Sequence, residues 1–137
     1  MQVIVERQAA LDVHKQQVTG CVRVPGAGGE RVQHIAQFAT TVRGLLVLRD
    51  WLDAHGVTDV VMEATGVYWK PVWHVLEDDF ALMLVNARHV KQVPGRKTDV
   101  QDASWLCQLA EAGLLKPSFV PPKPVRDLRQ LTRYRRA

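Results

Sequence analysis

The spacing of apolar side chains changes period part-way along this chain, and that change restricts the fold more than any other feature. Val18, Gly20, Val22 and Val24 alternate with Thr19, Cys21 and Arg23, the two-residue period of a strand with one buried face. PGAGGE (Pro25 to Glu30) is a turn by composition, and RVQHIAQFA resumes the alternation. With the apolar opening VIVERQAALDV, three strands in a meander are expected. The turn lacks the strand-to-helix setting of a phosphate loop, so it reads as a hairpin.

From Val42 the period is helical. Val42, Leu45, Leu46, Arg49 and Leu52 share a face, Thr40 or Thr41 can cap the start, and His55-Gly56 ends it. TDVVMEA then reads as a buried strand broken by Thr65-Gly66. A helix over 67–77 follows, with Pro71 tolerated in its first turns, and FALMLV is a further strand. A meander followed by strand–helix alternation makes an α/β layer built on a mixed sheet of about five strands. At 137 residues there is enough chain for one real core.

The stretch GRKTDVQDASWL places two aspartates directly behind a basic loop. Thr98 and Gln101 have capping-box spacing, so a third helix should start at Asp99, and Gly113 is a good stop. Asp99, Asp102, Leu106 and Leu109 step by three and four along one face. If the leucines face the sheet, the acids of the first turn point to its edge. Two more acids occupy unusual places: Asp12 lies inside the apolar strand ALDV, and Glu63 closes the run VVME. A carboxylate in a buried strand costs several kcal/mol unless it is paired or bound to metal. Gathered together, the four would form an all-oxygen cluster suited to Mg²⁺ or Mn²⁺, and two such ions about 4 Å apart serve phosphodiester chemistry. Each acid also has an ordinary explanation. Asp99 suits a helix N-terminus, Asp102 can pair with Arg96 or Lys97, Asp12 can lie at an exposed strand end, and Glu63 can cap the turn after it.

The formal charge is +4, and the excess of Arg and Lys lies beyond Asn86. Arg88, Lys91, Arg96 and Lys97 precede the paired aspartates and can hold a phosphate backbone against them, or form a solvated loop. LLKPSFVPPKP is a proline-rich connector. Beyond it Arg126, Arg129 and Arg133 belong to a basic helix that grips nucleic acid or decorates an exposed connector. Tyr68 and Trp69 follow Glu63 across the turn, and they read as core more readily than as base-stacking residues. Trp51, Trp73 and Trp105 read as core, and His14 as a surface residue near Asp12. Two cysteines make neither a disulfide framework nor a zinc site. With no signal-like start and no apolar run of membrane-spanning length, a soluble protein of the reducing cytoplasm, without a membrane partner, is expected.

ALDVHKQQVTGCV, VVMEATGVYW, LVNARHVKQVPGRKTDVQDASWLCQL and LLKPSFVPPKPVRDLRQLTRYRR together resemble the DEDD-type insertion-sequence transposases, to which the Piv-type DNA invertases are related. The resemblance runs along nearly the whole chain. It implies a RuvC-like, RNase H-type amino-terminal domain whose catalytic, metal-binding acids are Asp12, Glu63, Asp99 and Asp102. Ala10 stands where a glycine is common, and Ala87 where a proline is; neither change removes a carboxylate. The resemblance also implies a recombinase that cuts and rejoins DNA under the guidance of a bridge RNA. Its relatives are oligomeric and carry a second, carboxy-terminal domain with a nucleophilic serine. On that basis residues 1–115 are expected to form the RuvC-like domain and 116–137 the connector and start of a helical segment. The serine domain would lie outside this chain, leaving it inactive alone. A stand-alone junction resolvase, a non-catalytic nucleic-acid-binding module and an actin-like ATPase are the competing readings.

Overall fold

A computed structural model describes residues 2–64, 66–86 and 102–118. Five strands form one sheet: β1 (Gln8–Val13), β2 (Gln17–Pro25), β3 (Arg31–Ala39), β4 (Asp59–Ala64) and β5 (Ala81–Asn86), in the order β3-β2-β1-β4-β5. β1, β2 and β3 make the expected antiparallel meander, whereas β4 runs parallel to β1 and β5 parallel to β4. The hairpin at PGAGGE is closed by Gly26 N–H donating to Glu30 O at 2.7 Å, with Gly29 at φ +86°. β1 is shorter than its apolar lead-in suggested. Ile4 and Val5 lie ahead of the strand and donate their N–H groups to the carbonyl of Glu111, at 2.7 and 3.1 Å.

Helices cover both faces. On one, α1 (Val42–Ala54) and α2 (Trp69–Leu76) pack over Leu11, Val22, Val60 and Met62. On the other, α3 (Asp102–Glu111) packs Ala103, Leu106, Cys107 and Leu109 against Ala10, Cys21, Val61 and Val85. This second layer explains why Cys21 is fully buried although strand alternation assigned it to the less buried face. Thr41 caps α1, its Oγ1 accepting from Gly44 N–H at 3.1 Å. The buried stripe of α1 is Leu45, Leu48 and Leu52, not the expected set; Val42 and Leu46 are exposed, because the helix leans through Leu48 rather than Leu46. Trp51 closes over Gly20, where a Cβ would come within 3.0 Å of the indole ring.

α2 begins two residues later than its pattern suggested, Gly66 to Tyr68 forming a turn in front of it, and Tyr68 is exposed while Trp69 packs on the core. Trp51 and Trp73 pack at the core margin and Trp105 is buried, as expected. The expected start of the third helix at Asp99, with its capping box, and the connector beyond Ser118 lie outside the described residues. Among the described residues no helix is long and apolar enough to cross a membrane.

Candidate functional site

The two strand acids stand on neighbouring, parallel strands. Partners run from Gln8 opposite Asp59 to Leu11 opposite Met62, and Asp12 and Glu63 are the residues that follow this last pair on each strand. Neighbouring strands lie about 4.8 Å apart, and partners in register share a face. That face is the one under α3, since Ala10 and Val61, two residues earlier on each strand, both pack against that helix. Both acids sit near the C-terminal ends of their strands.

The direction of α3 follows from its contacts. Its last residue, Glu111, meets the segment before β1, and Cys107, one turn earlier, donates to Gln8 O at 3.4 Å and Cys21 O at 3.6 Å. Traced back towards Asp102, the next contact is Ser104 Oγ donating to Gln33 Oε1 at 3.2 Å, in the row of Arg23 and Gln8. Asp102 is its first described residue. Asp99 lies outside the described residues, as do Arg88, Lys91, Arg96, Lys97, Arg126, Arg129 and Arg133. Among the described residues no group of three or more His, Cys, Asp or Glu side chains is gathered for a metal ion.

Asp12 is largely buried, its side chain 18% exposed, and its Oδ2 is 3.0 Å from Nε2 of the exposed His14. His14 follows β1 in a turn closed by its own N–H donating to Gln17 O at 2.9 Å. The surface position expected for His14 is correct, and its contact with the acid is additional. All-oxygen, acidic donors fit Mg²⁺ or Mn²⁺ better than the softer transition metals.

A second charged cluster went unrecognised in the sequence. Glu111 is buried, and its two carboxylate oxygens accept from Arg23 Nε at 2.9 Å and Arg31 Nη2 at 2.7 Å. Both arginines lie on strands, where an unpaired charge is costly, and that was the available signal. This triad ties the C-terminal end of α3 to β2 and β3, away from the acids. Cys21 and Cys107 are free and buried. The thiol of Cys107 is pushed well above its ordinary range by its hydrogen bond with Cys21 and then by burial, so it is a poor nucleophile and a poor metal ligand.

The architecture matches solved structures of RuvC. A Thermus thermophilus RuvC in complex with a Holliday junction superposes with a TM-score of 0.53 at 13% identity, covering 82% of this chain and 99% of that one. A second Thermus thermophilus RuvC structure gives 0.50 at 14% identity, covering 85% of each chain. The fold is thus RuvC-like, an RNase H-type α/β sheet flanked by helices. No curated protein sequence matches the chain. The DEDD transposase family model of the IS110 type, described as a transposase, matches residues 9–137. The chain belongs to this family of transposases.

Proposed function

We propose that this chain is the metal-dependent catalytic domain of its transposase, with Asp12, Glu63, Asp99 and Asp102 as the acids that hold the ions. The observation that supports this most is that Asp12 and Glu63 directly follow the last register pair of two parallel strands, on the face packed by α3. Carboxylates set in largely apolar strands carry a desolvation cost that bound cations would offset. Bound Mg²⁺ or Mn²⁺ would supply Lewis acidity at the scissile phosphate. The protein's own part is to present hard oxygen donors, two of them, Asp12 and Glu63, from neighbouring strands. His14, bonded to Asp12 Oδ2, orients that carboxylate. The substrate in this reading is DNA, at the element ends and the target. A bridge-type guide RNA and a homo-oligomeric whole protein follow from the family resemblance. Arg88, Lys91, Arg96, Lys97, Arg126, Arg129 and Arg133 are the residues proposed to hold nucleic acid.

The test is a thermal melt with and without Mn²⁺ or Mg²⁺. Ligand at 100-fold above its Kd stabilises the folded state by about 2.7 kcal/mol, which is a rise of roughly 5–10 °C in Tm for a domain of this size. Asp12→Ala and Glu63→Gln should each abolish the rise. An intact protein whose Tm ignores both ions refutes the reading, and the Asp12–His14 pair would then be structural.

A further inference from the structure

The acids belong to a row that crosses the sheet. Asp12 pairs with Thr19 on β2, and Thr19 pairs with Gln37 on β3, so these three stand side by side on successive strands, and Glu63 follows the last β1–β4 pair on the strand beyond Asp12. All four share the face of Ala10 and Cys21, the face under α3. The row opens outward: Glu63 and Thr19 are half-buried, Asp12 is largely buried, and Gln37 at the sheet edge is exposed. α3 occupies the rows behind it, with Cys107 against Cys21 and Glu111 against Arg23. Thr19 and Gln37 thus form a polar shelf continuing directly from the acids to the edge strand. Neither side chain has a hydrogen-bond partner among the described residues. The next row back along the same face is apolar, Ala10, Cys21 and Ile35.

We propose that Thr19 and Gln37 hold the backbone of the DNA strand that the acids engage, so that the strand leaves the acids across β2 and β3. This rests on the functional reading above and adds a path to it. Hydroxyl and amide groups are common donors to phosphate and sugar oxygens. Neutral donors suit positions next to carboxylates, because a cation there would pair with the acids instead of the phosphate. Two strand spacings, about 10 Å, carry the contact from Asp12 to Gln37. That is the span of two to three nucleotides at about 3.4 Å of rise each. A cation stands at the rim, where it does not neutralise the acids: exposed Lys15, in the turn between β1 and β2. Thr40 fixes that turn, its Oγ1 donating to Lys15 O at 2.7 Å and its N–H to Gln16 O at 3.2 Å.

Both native cysteines are buried, so a Gln37→Cys variant presents a single accessible thiol. It is mixed with branched DNA carrying bromoacetyl groups on internucleotide phosphorothioates, and covalent adduct is read on denaturing gels. Asp50→Cys, on exposed α1 over the opposite face, is the control. Adduct should form at position 37 well above position 50 and be competed away by unmodified DNA. Thr19→Val should weaken DNA binding by roughly 3- to 10-fold and leave the Mn²⁺-induced rise in Tm unchanged. Equal adduct at positions 37 and 50, or DNA affinity unaltered by Thr19→Val, overturns the path while an intact Mn²⁺ response leaves the functional reading standing. Adduct specific to position 37 in a protein with no Mn²⁺ response supports the path and overturns the catalytic reading. Absence of any DNA binding overturns both.

Discussion

Glu111→Ala is the substitution whose consequence the structure defines most sharply. The carboxylate is 7% exposed and takes one charge-assisted hydrogen bond from each of two arginines that are themselves only 18% and 21% exposed. Removing it takes the counter-charge from two part-buried guanidinium groups, which keep only neutral acceptors, Gln33 Oε1 for Arg23 and the Arg23 carbonyl for Arg31, and breaking a buried pair in this way costs about 3–5 kcal/mol. Arg31 is the more dependent of the two, since its Nε is buried with no hydrogen-bond partner among the described residues. The helix itself is not weakened. Alanine is the better helix former, and the Glu111 carbonyl keeps the N–H groups of Ile4 and Val5 whatever the side chain. Against a typical domain stability of about 5–15 kcal/mol, such a loss leaves the fold marginal. Urea denaturation near neutral pH, with the slope m held constant, measures it. Because α3 also carries Asp102, the variant should bind Mn²⁺ less well than its remaining folded fraction alone implies. Replacing the whole triad by Arg23→Met, Glu111→Leu and Arg31→Met should restore much of the lost stability, as an apolar cluster avoids the desolvation of all three charges. A loss below about 1 kcal/mol in Glu111→Ala would refute the reasoning, since that is the behaviour of a solvent-screened surface pair.

Two further outcomes test other parts of the structure. Leu48→Ala should cost about 2–5 kcal/mol, as expected for a fully buried core leucine, and Leu46→Ala on the same helix should cost under about 1 kcal/mol; the reverse order in urea titrations would mean that α1 is rotated. His55, stacked on His34 at 4.3 Å, has its pKa lowered by burial and then by the charge of His34. The unfolded chain therefore takes up the proton first, so this contribution to stability is complete above the unfolded pKa of about 6.5 and is lost as pH falls through it. His55→Gln should flatten the fall in urea midpoint between about pH 7.5 and 5.5, and an unchanged profile would assign that fall to other groups.

How far the sequence exposes this molecule depends on where each residue's partner lies along the chain. β2 and β3 are joined by a short Gly-rich turn, so the register that sets Thr19 opposite Gln37 comes from local alternation and the hairpin. The Thr41 cap and the Gly56 stop are local in the same sense. The α1 stripe is less legible, because Val42 and Leu46 fit the helical period as well as Leu48 does; what separates them is which residues of α1 meet the sheet, a long-range matter. Glu111 was invisible because nothing within a helical turn marks it, and its counter-charges arrive from two strands much earlier in the chain. The candidate acids fall between these cases. That Asp12 and Glu63 lie in apolar strands is legible from each strand alone, but what makes those strands neighbours is a parallel pairing reached through α1, which no local pattern specifies. Family resemblance named both acids without reference to that pairing. A pattern carried by resemblance can name such residues without saying what surrounds them, so neither the His14 contact nor the polar row leading to Gln37 came with it; both follow from register and packing, which only the folded chain displays.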